Sequence, residues 1–377
     1  MKNQHDRTYI KGLDGLRGFS VLIVILFHAT LCGPGWVGVQ IFFVLSGYLI
    51  GGILLNLKDN EAGLWQNLKT FGLRRVFRIF PVYYLYLLLL IAYGVLRSQG
   101  APGRIWYLLT YTGNYAGTFN GYKFDLQTLH LWSLCIEEQF YCFFPLCILL
   151  INKKGIKVFL LSLVLLSPLF RWLYGEHLMS LGRSQFAVGV PVQWHTISQL
   201  DAFSCGTLIH VLKIHTWPAK LSGAILALLI ALGLVLDFRF GHVLGTIANA
   251  QHIWVSSYLN LLSMFLIVVI VSTRYLNRLF TMRWLMQMGK VSYAMYVFHI
   301  AFLIVYSKIV EKVHAGLAAR YALCTVMVIF LYLFCRLLFQ YFELPFLQLK
   351  QKYRYSGQIN PEKLFPGRGN QENTVRE

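Results

Sequence analysis

Charged residues are scarce in this sequence. They make up 13% of its 377 residues, against roughly 25% in an ordinary soluble domain. A chain this poor in charge and 57% hydrophobic has lipid as its main solvent. Acidic residues are scarcer still, 15 against 34 Lys and Arg, for a formal charge of +19. Cysteines number seven. An odd count without paired loop positions excludes a disulfide framework, and no spacing resembles a zinc site, so no metal is expected. Repeats, low-complexity tracts and domain boundaries are absent to inspection. The length leaves no room for a large soluble domain beside a bundle of spans.

Long apolar runs and aromatic residues, the latter 16% of the chain, are what remains. Candidate spans cover roughly 18–33, 36–57, 79–96, 130–151, 156–174, 194–213, 219–237, 252–272, 284–306 and 317–342, each near the length a bilayer needs. The first is marginal. The fold class is therefore all-α integral membrane, a bundle of about ten transmembrane helices.

Excess positive charge in a soluble chain suggests nucleic acid; here its distribution gives another reading. Alternate connections carry 23 and 8 Lys and Arg, with Arg171, Lys290 and Arg336 left inside or at the edges of spans. Under the positive-inside rule both termini are cytoplasmic, and the charge sets orientation without nucleic acid. No small-x-small cleavage site follows the N-terminal run, so it reads as a retained first helix. Residues 58–78 read as an amphipathic helix on the cytoplasmic surface, Ile105–Tyr111 as a re-entrant or interfacial piece, and 175–193 as a Gly-rich outer loop. Residues 1–346 form the membrane domain and 347–377 a disordered cytoplasmic tail.

Ionisable groups inside spans are costly, which makes each a functional candidate. His28 lies eleven residues after Arg17. Eleven residues are about three helical turns, which puts both on one face, roughly 16 Å apart along the axis. The alternative for His28 is a core histidine bonded to a carbonyl. Glu137 and Glu138 are adjacent, point roughly 100° apart, and cannot both serve one site. Tyr141, four residues on, shares the face of Glu137. Glu137 at the depth of His28 would supply an orienting partner for a general base; its alternative is structural pairing with another helix.

Arg75 and Arg78 share a face at the inner mouth of the third span. They read either as a phosphate clamp or as ordinary positive-inside flanking. Asp201, Ser204, Ser292, Tyr293 and His299 are further intramembrane polar groups, each alone more readily helix–helix glue than catalytic. Ser46, Gly47 and Gly51 form a small-residue packing face.

Several of these strings, in this order, resemble the membrane-bound acyltransferase 3 family, known for O-acetylation of bacterial surface sugars. They are Leu13-Asp14-Gly15-Leu16-Arg17-Gly18 reaching His28, and Gly38-Val39-Gln40-Ile41-Phe42-Phe43-Val44-Leu45-Ser46-Gly47-Tyr48. Arg75-Val76-Phe77-Arg78 with Pro81 follows, then Trp132-Ser133-Leu134 leading to Glu137 and Phe140-Tyr141. Asp201-Ala202-Phe203 with Gly206, Val291-Ser292-Tyr293 leading to Tyr296 and His299, and Glu343 with Pro345 complete the set. Together they span roughly residues 10–345.

The resemblance implies an O-acyltransferase of the bacterial inner membrane, with acyl-CoA, most often acetyl-CoA, as cytoplasmic donor and an extracytoplasmic carbohydrate or other hydroxyl as acceptor. Arg17, Arg75 and Arg78 would bind the donor's phosphates. His28 would act as general base or acyl carrier, with Glu137 orienting it. Asp14, Ser46, Tyr141, Asp201, Tyr293 and His299 would support substrate or structure. Some relatives carry a C-terminal periplasmic hydrolase-like domain; this chain is expected to hand the acyl group directly to its acceptor or to a separate partner. The rival class is a proton-coupled transporter or flippase using His28, Glu137 and Asp201 as a relay.

Overall fold

The computed structural model describes residues 10–59, 63–97, 105–119, 126–240, 252–353 and 355. Every regular element among them is helical. In order, these are α1 Lys11–His28, α2 Val37–Lys58, α3 Leu64–Leu96, α4 Ile105–Leu109, α5 Gly113–Phe119, α6 Trp132–Leu150, α7 Lys153–Ser180 and α8 Gln185–Trp194. Then follow α9 Leu200–Val211, α10 Ala219–Phe240, α11 His252–Ser272, α12 Arg274–Phe280, α13 Arg283–Lys290, α14 Ser292–Lys312, α15 Leu317–Leu338 and α16 Leu344–Lys352.

Eight helical stretches among the described residues are long and apolar enough to cross a bilayer. With no water to satisfy backbone groups in hydrocarbon, helices are the solution such a composition permits. Two expected spans fall outside these eight. Helix α1 has 18 residues, about 27 Å of rise, and carries Lys11, Asp14 and Arg17 in its first two turns. Helix α9 has 12, about 18 Å. The expected span 284–306 divides at Val291, where the backbone leaves the helical region (φ −108°, ψ 10°) between α13 and α14.

The surface helix expected over 58–78 is instead the first half of a continuous 33-residue α3. Pro81 lies inside it, where its missing N–H leaves only the carbonyl four residues earlier without its helical bond. Ile105–Tyr111 gives a five-residue helix pinned by side chains of α3: the hydroxyls of Tyr83 and Tyr84 donate to the carbonyls of Leu108 and Leu109 at 2.8 and 2.9 Å. The expected outer connection 97–129 and tail 347–377 lie partly outside the described residues. Within them, α16 runs past the boundary drawn at 346 to Lys352. A π turn over Phe339–Glu343 precedes it, set by Pro345, which cannot donate the ordinary i→i−4 bond.

Helix α2 is the hub. Its apolar window is 72% buried, against 17% for that of Ala219–Arg239 at the periphery. Small residues allow the closest approach. A Cβ on Gly47 would stand 2.1 Å from the carbonyl oxygen of Phe203, and one on Gly206 2.0 Å from that of Val44. Backbone meets backbone there, and Thr207 seals the contact by donating to the Gly47 carbonyl at 3.0 Å. The same device joins α1 to α13, where a Cβ on Gly289 would lie 1.8 Å from the Asp14 carbonyl oxygen. Of the packing face expected on α2, Gly47 and Gly51 meet α9, while Ser46 bonds Glu137 of α6.

Candidate active site

A cleft partly open to the surface lies between α1, α2, α3, α6 and α14, with about 800 Å³ of empty space when the solvent at its opening is included. Its lining gives its direction. On α2 it runs from Val39 to Ile50, eleven residues and about 16 Å. On α6 it takes Ser133, Glu137 and Tyr141, spaced four apart so that all three share one face. Arg17, Arg75 and Arg78 line it too, as do Tyr293 and Tyr296. The guanidinium of Arg75 sits 5.6 Å over the Tyr141 ring, a cation–π distance, so the arginine end is the Tyr141 end. Ser133 and Tyr296 form the other end, their hydroxyls 2.5 Å apart.

The middle of the wall is held by one carboxylate. Glu137 accepts a hydrogen bond from Ser46 across the α2–α6 contact and one from Tyr141 at 2.5 Å. Glu138 turns away from the cleft lining and is buried, as the angle between adjacent helical positions requires. Arg17 donates to Asp14 at 3.2 Å. Tyr293 ties α14 to α3 by donating to the Ile79 carbonyl at 3.1 Å.

Beyond Tyr296 stand three histidines. His28, the last residue of α1, packs its ring against that of His299 with centroids 5.0 Å apart, and His299 packs against His130 at 4.9 Å. Each ring spends one nitrogen on a backbone carbonyl: His28 Nδ1 on Val24 at 3.0 Å, His299 Nδ1 on Tyr296 at 2.6 Å, His130 Nε2 on Val297 at 2.9 Å. A carbonyl only accepts, so those nitrogens carry the proton. In the neutral rings the opposite nitrogen keeps its lone pair. For His28 that is Nε2, on a side chain that is only partly buried.

The structure thus separates what the sequence grouped. His28 does not line the cleft; it adjoins it through His299 and Tyr296. No hydrogen bond joins Glu137 to His28, whose ring is oriented by Val24. Glu137 instead fixes Ser46 and Tyr141. Asp201 stands apart from both groups. It receives both terminal nitrogens of Arg171 at 2.8 and 3.2 Å, together with the Ser257 hydroxyl at 2.9 Å. The pair is buried, 0% and 1% exposed at the side chains, and joins α7, α9 and α11. His130 is the site residue that sequence reasoning missed. It falls at the edge of the span drawn over 130–151, where a polar residue draws no attention; one more turn of span would have marked it as an intramembrane histidine.

The acyltransferase 3 family model, described as an acyltransferase domain, matches residues 10–339. A Staphylococcus aureus (strain COL) protein with the name "Putative O-acetyltransferase" is 29% identical over 326 residues, 78% of this chain and 50% of the relative. The peptidoglycan O-acetyltransferase OatA of Listeria monocytogenes is 34% identical over 169 residues, 41% of this chain and 26% of the relative. The chain therefore spans about half the length, or less, of these relatives. No solved structure matches it. With the family pattern covering nearly all of the helical bundle, the chain belongs to the acyltransferase 3 family of multi-pass membrane proteins.

Proposed function

We propose that the chain is a membrane O-acyltransferase that moves an acetyl group from cytoplasmic acetyl-CoA to a hydroxyl of an extracytoplasmic glycan. One observation carries this reading: the cleft starts at Arg17, Arg75 and Arg78 and ends beside the histidine row that includes His28. Three guanidinium groups at one mouth suit the phosphates of the CoA head, which they bind through charge-assisted bonds. The about 16 Å of cleft along α2 is comparable to the reach of the pantetheine arm, which brings the thioester to the Tyr296 end. Relatives named as O-acetyltransferases, one of them for peptidoglycan, support both the acetyl group and a carbohydrate acceptor.

In this mechanism the acceptor hydroxyl gives its proton to Nε2 of His28 as its oxygen attacks the thioester carbonyl. The tetrahedral intermediate collapses, the carbon–sulfur bond breaks, and the CoA thiolate takes the proton back from His28. General base catalysis of this kind contributes about 10²- to 10⁴-fold. Glu137 serves as a positioning residue that fixes Ser46 and Tyr141 in the cleft wall. Arg171 and Asp201 hold the helices behind the site. The positive-inside bias supports an arginine mouth on the cytoplasmic side.

The test incubates membranes holding wild-type or His28→Ala protein, at matched expression, with acetyl-labelled acetyl-CoA. Free CoA, label in the glycan fraction and CoA binding are all followed. Histidine-dependent CoA release with label reaching a glycan is the expected result. A folded protein that neither binds nor turns over acetyl-CoA sinks the reading in favour of a transporter.

A further inference from the structure

Beside the arginines of α3 lies a part of the chain that the sequence consigned to a tail. The helix of α15 continues through the π turn over Phe339–Glu343 into α16, which packs along the first half of α3. Arg74 fastens it there. Its guanidinium donates to the carbonyls of Tyr353, at 2.7 Å, and of Lys350, at 3.4 Å, and lies 5.0 Å over the Tyr355 ring. One helical turn along, the Phe77 ring stacks on Tyr353 with centroids 5.7 Å apart.

This strap sets Lys350 next to α3, its carbonyl on the Arg74 guanidinium. The half-buried Lys350 ammonium lies in the field of Arg78, Arg75, Arg74 and Arg17 together. Of these five basic groups only Arg17 has a carboxylate within ion-pair distance among the described residues, namely Asp14. Glu343, two turns before Lys350, faces Arg78, and Glu138 lies in the field of Arg75. Neither closes an ion pair. The Nε of Arg75 is buried without a partner among the described residues. A lysine in a group of arginines is repelled by each of them, and the folded chain keeps it charged there at a loss, which the amine relieves by shedding its proton or by gaining an anion. Arg74 spends its donors on backbone and positions α16, which leaves Lys350 behind Arg17, Arg75 and Arg78, the three basic groups that line the cleft.

We propose that Lys350 is a further phosphate-binding residue of the donor site, and that α16, strapped down by Arg74, completes a cradle for the several phosphates of a nucleotide thioester. The proposal rests on the reading of acyl-CoA as donor. Arg17, Arg75 and Arg78 come from α1 and α3 alone; a fourth cation from a separate helix widens the set for a head with phosphates at more than one point. Lys350 thereby distinguishes CoA from a bare pantetheine thioester.

The experiment uses the full chain in phosphatidylcholine nanodiscs and measures binding of CoA and of pantetheine to wild-type, Lys350→Met and Lys350→Arg proteins. A charge-assisted bond is worth about 1.5–3 kcal/mol, so Lys350→Met is expected to weaken CoA about 10- to 100-fold. Pantetheine affinity and melting temperature should stay at wild-type values, which separates lost contact from lost fold. Lys350→Arg should restore CoA binding to within about threefold, because it keeps the charge. Wild-type-like CoA affinity in Lys350→Met would overturn the assignment while leaving the donor reading intact. Absence of CoA binding by folded wild-type protein would remove the donor reading and this inference with it. In parallel discs containing phosphatidylglycerol, a Lys350-dependent retention of that lipid with unchanged CoA affinity would assign the lysine to a headgroup and overturn the proposal.

Discussion

His28 and His299 meet ring to ring, centroids 5.0 Å apart and planes 67° from parallel, across the contact between α1 and α14. Because Nδ1 of His28 is committed to the Val24 carbonyl, the neutral ring presents its lone pair at Nε2. His299 is fully buried and its own Nε2 has no partner, so it backs His28 without competing for an acceptor hydroxyl. The expected outcome for His28→Gln is a fall in kcat of about 10²- to 10⁴-fold, with CoA affinity held within about threefold. For His299→Phe a smaller fall of about tenfold is expected, since the ring support survives in shape. Stopped-time assays of labelled acetyl transfer, paired with CoA binding, check both. Equal and complete losses in CoA binding would show that these residues hold the fold rather than the chemistry.

Glu137 gives a sharper test because the two available roles differ in size. A carboxylate that oriented His28 would, on removal, approach the loss seen for His28 itself. The carboxylate here bonds Ser46 and Tyr141 instead. Glutamine keeps one carbonyl oxygen to accept from either hydroxyl. Glu137→Gln is therefore expected to lower kcat by less than about tenfold and to raise KM for acetyl-CoA, the sign of a disturbed cleft wall. Glu137→Leu, which leaves two half-buried hydroxyls without their acceptor, is expected to destabilise the protein by about 0.5–1.5 kcal/mol. Kinetics on both variants, with melting curves, decide between the roles.

Much of this arrangement was legible in the sequence because hydrocarbon makes polarity conspicuous. His28, Glu137, Arg75 and Arg78 stood out against apolar runs, and helical spacing put Tyr141 on the face of Glu137, where it is found. Spacing within one helix says nothing about the partner on the next. That is why Glu137 was matched to His28 at equal inferred depth, although Ser46 lies between the helices and takes the carboxylate. Asp201 was seen and Arg171 was counted, but their pairing across 30 residues is a tertiary fact. His130 and Lys350 escaped for another reason. Both lie at the ends of apolar runs, where lysine and histidine are ordinary boundary residues, and only the packing of α16 along α3 shows where Lys350 comes to lie.

The α2–α9 contact predicts where the bundle fails. A Cβ at Gly206 would lie 2.0 Å from the Val44 carbonyl oxygen and 2.5 Å from the Tyr48 nitrogen, both backbone atoms. Backbone cannot swing aside as a side chain does, so the helices must separate. Overpacking of this kind costs about 1–3 kcal/mol in a well-packed core. Gly206→Val is expected to reach the upper end of that range and to lower the melting temperature of the detergent-solubilised protein. Gly223→Val, with no atom within 4 Å of its added Cβ, is the control and should melt near wild type. A Gly206→Val protein that melts with the control would mean that α2 and α9 stand further apart than described here.

The Arg171–Asp201 pair yields the last prediction, and it turns on the difference between breaking a buried pair and replacing it. Both side chains are withdrawn from solvent, and the arginine also donates to the Ile253 carbonyl at 3.0 Å and, through short bonds, to the Ser198 carbonyl and the Ser257 hydroxyl. Arg171→Met strands the Asp201 carboxylate in an apolar setting, for which a loss of about 3–5 kcal/mol is typical. The double variant Arg171→Met with Asp201→Leu removes both charges and fills the space, so most of that loss should return, although the Ser198 and Ile253 carbonyls then lack their donor. A proton relay through Asp201 predicts the reverse order for function, because the double variant would be as inactive as either single one. Melting temperatures and acetyl transfer measured on the two single variants and the double therefore separate a structural clamp from a relay. Recovery of stability together with turnover is the result expected of a clamp whose only task is to hold α7, α9 and α11 behind the cleft.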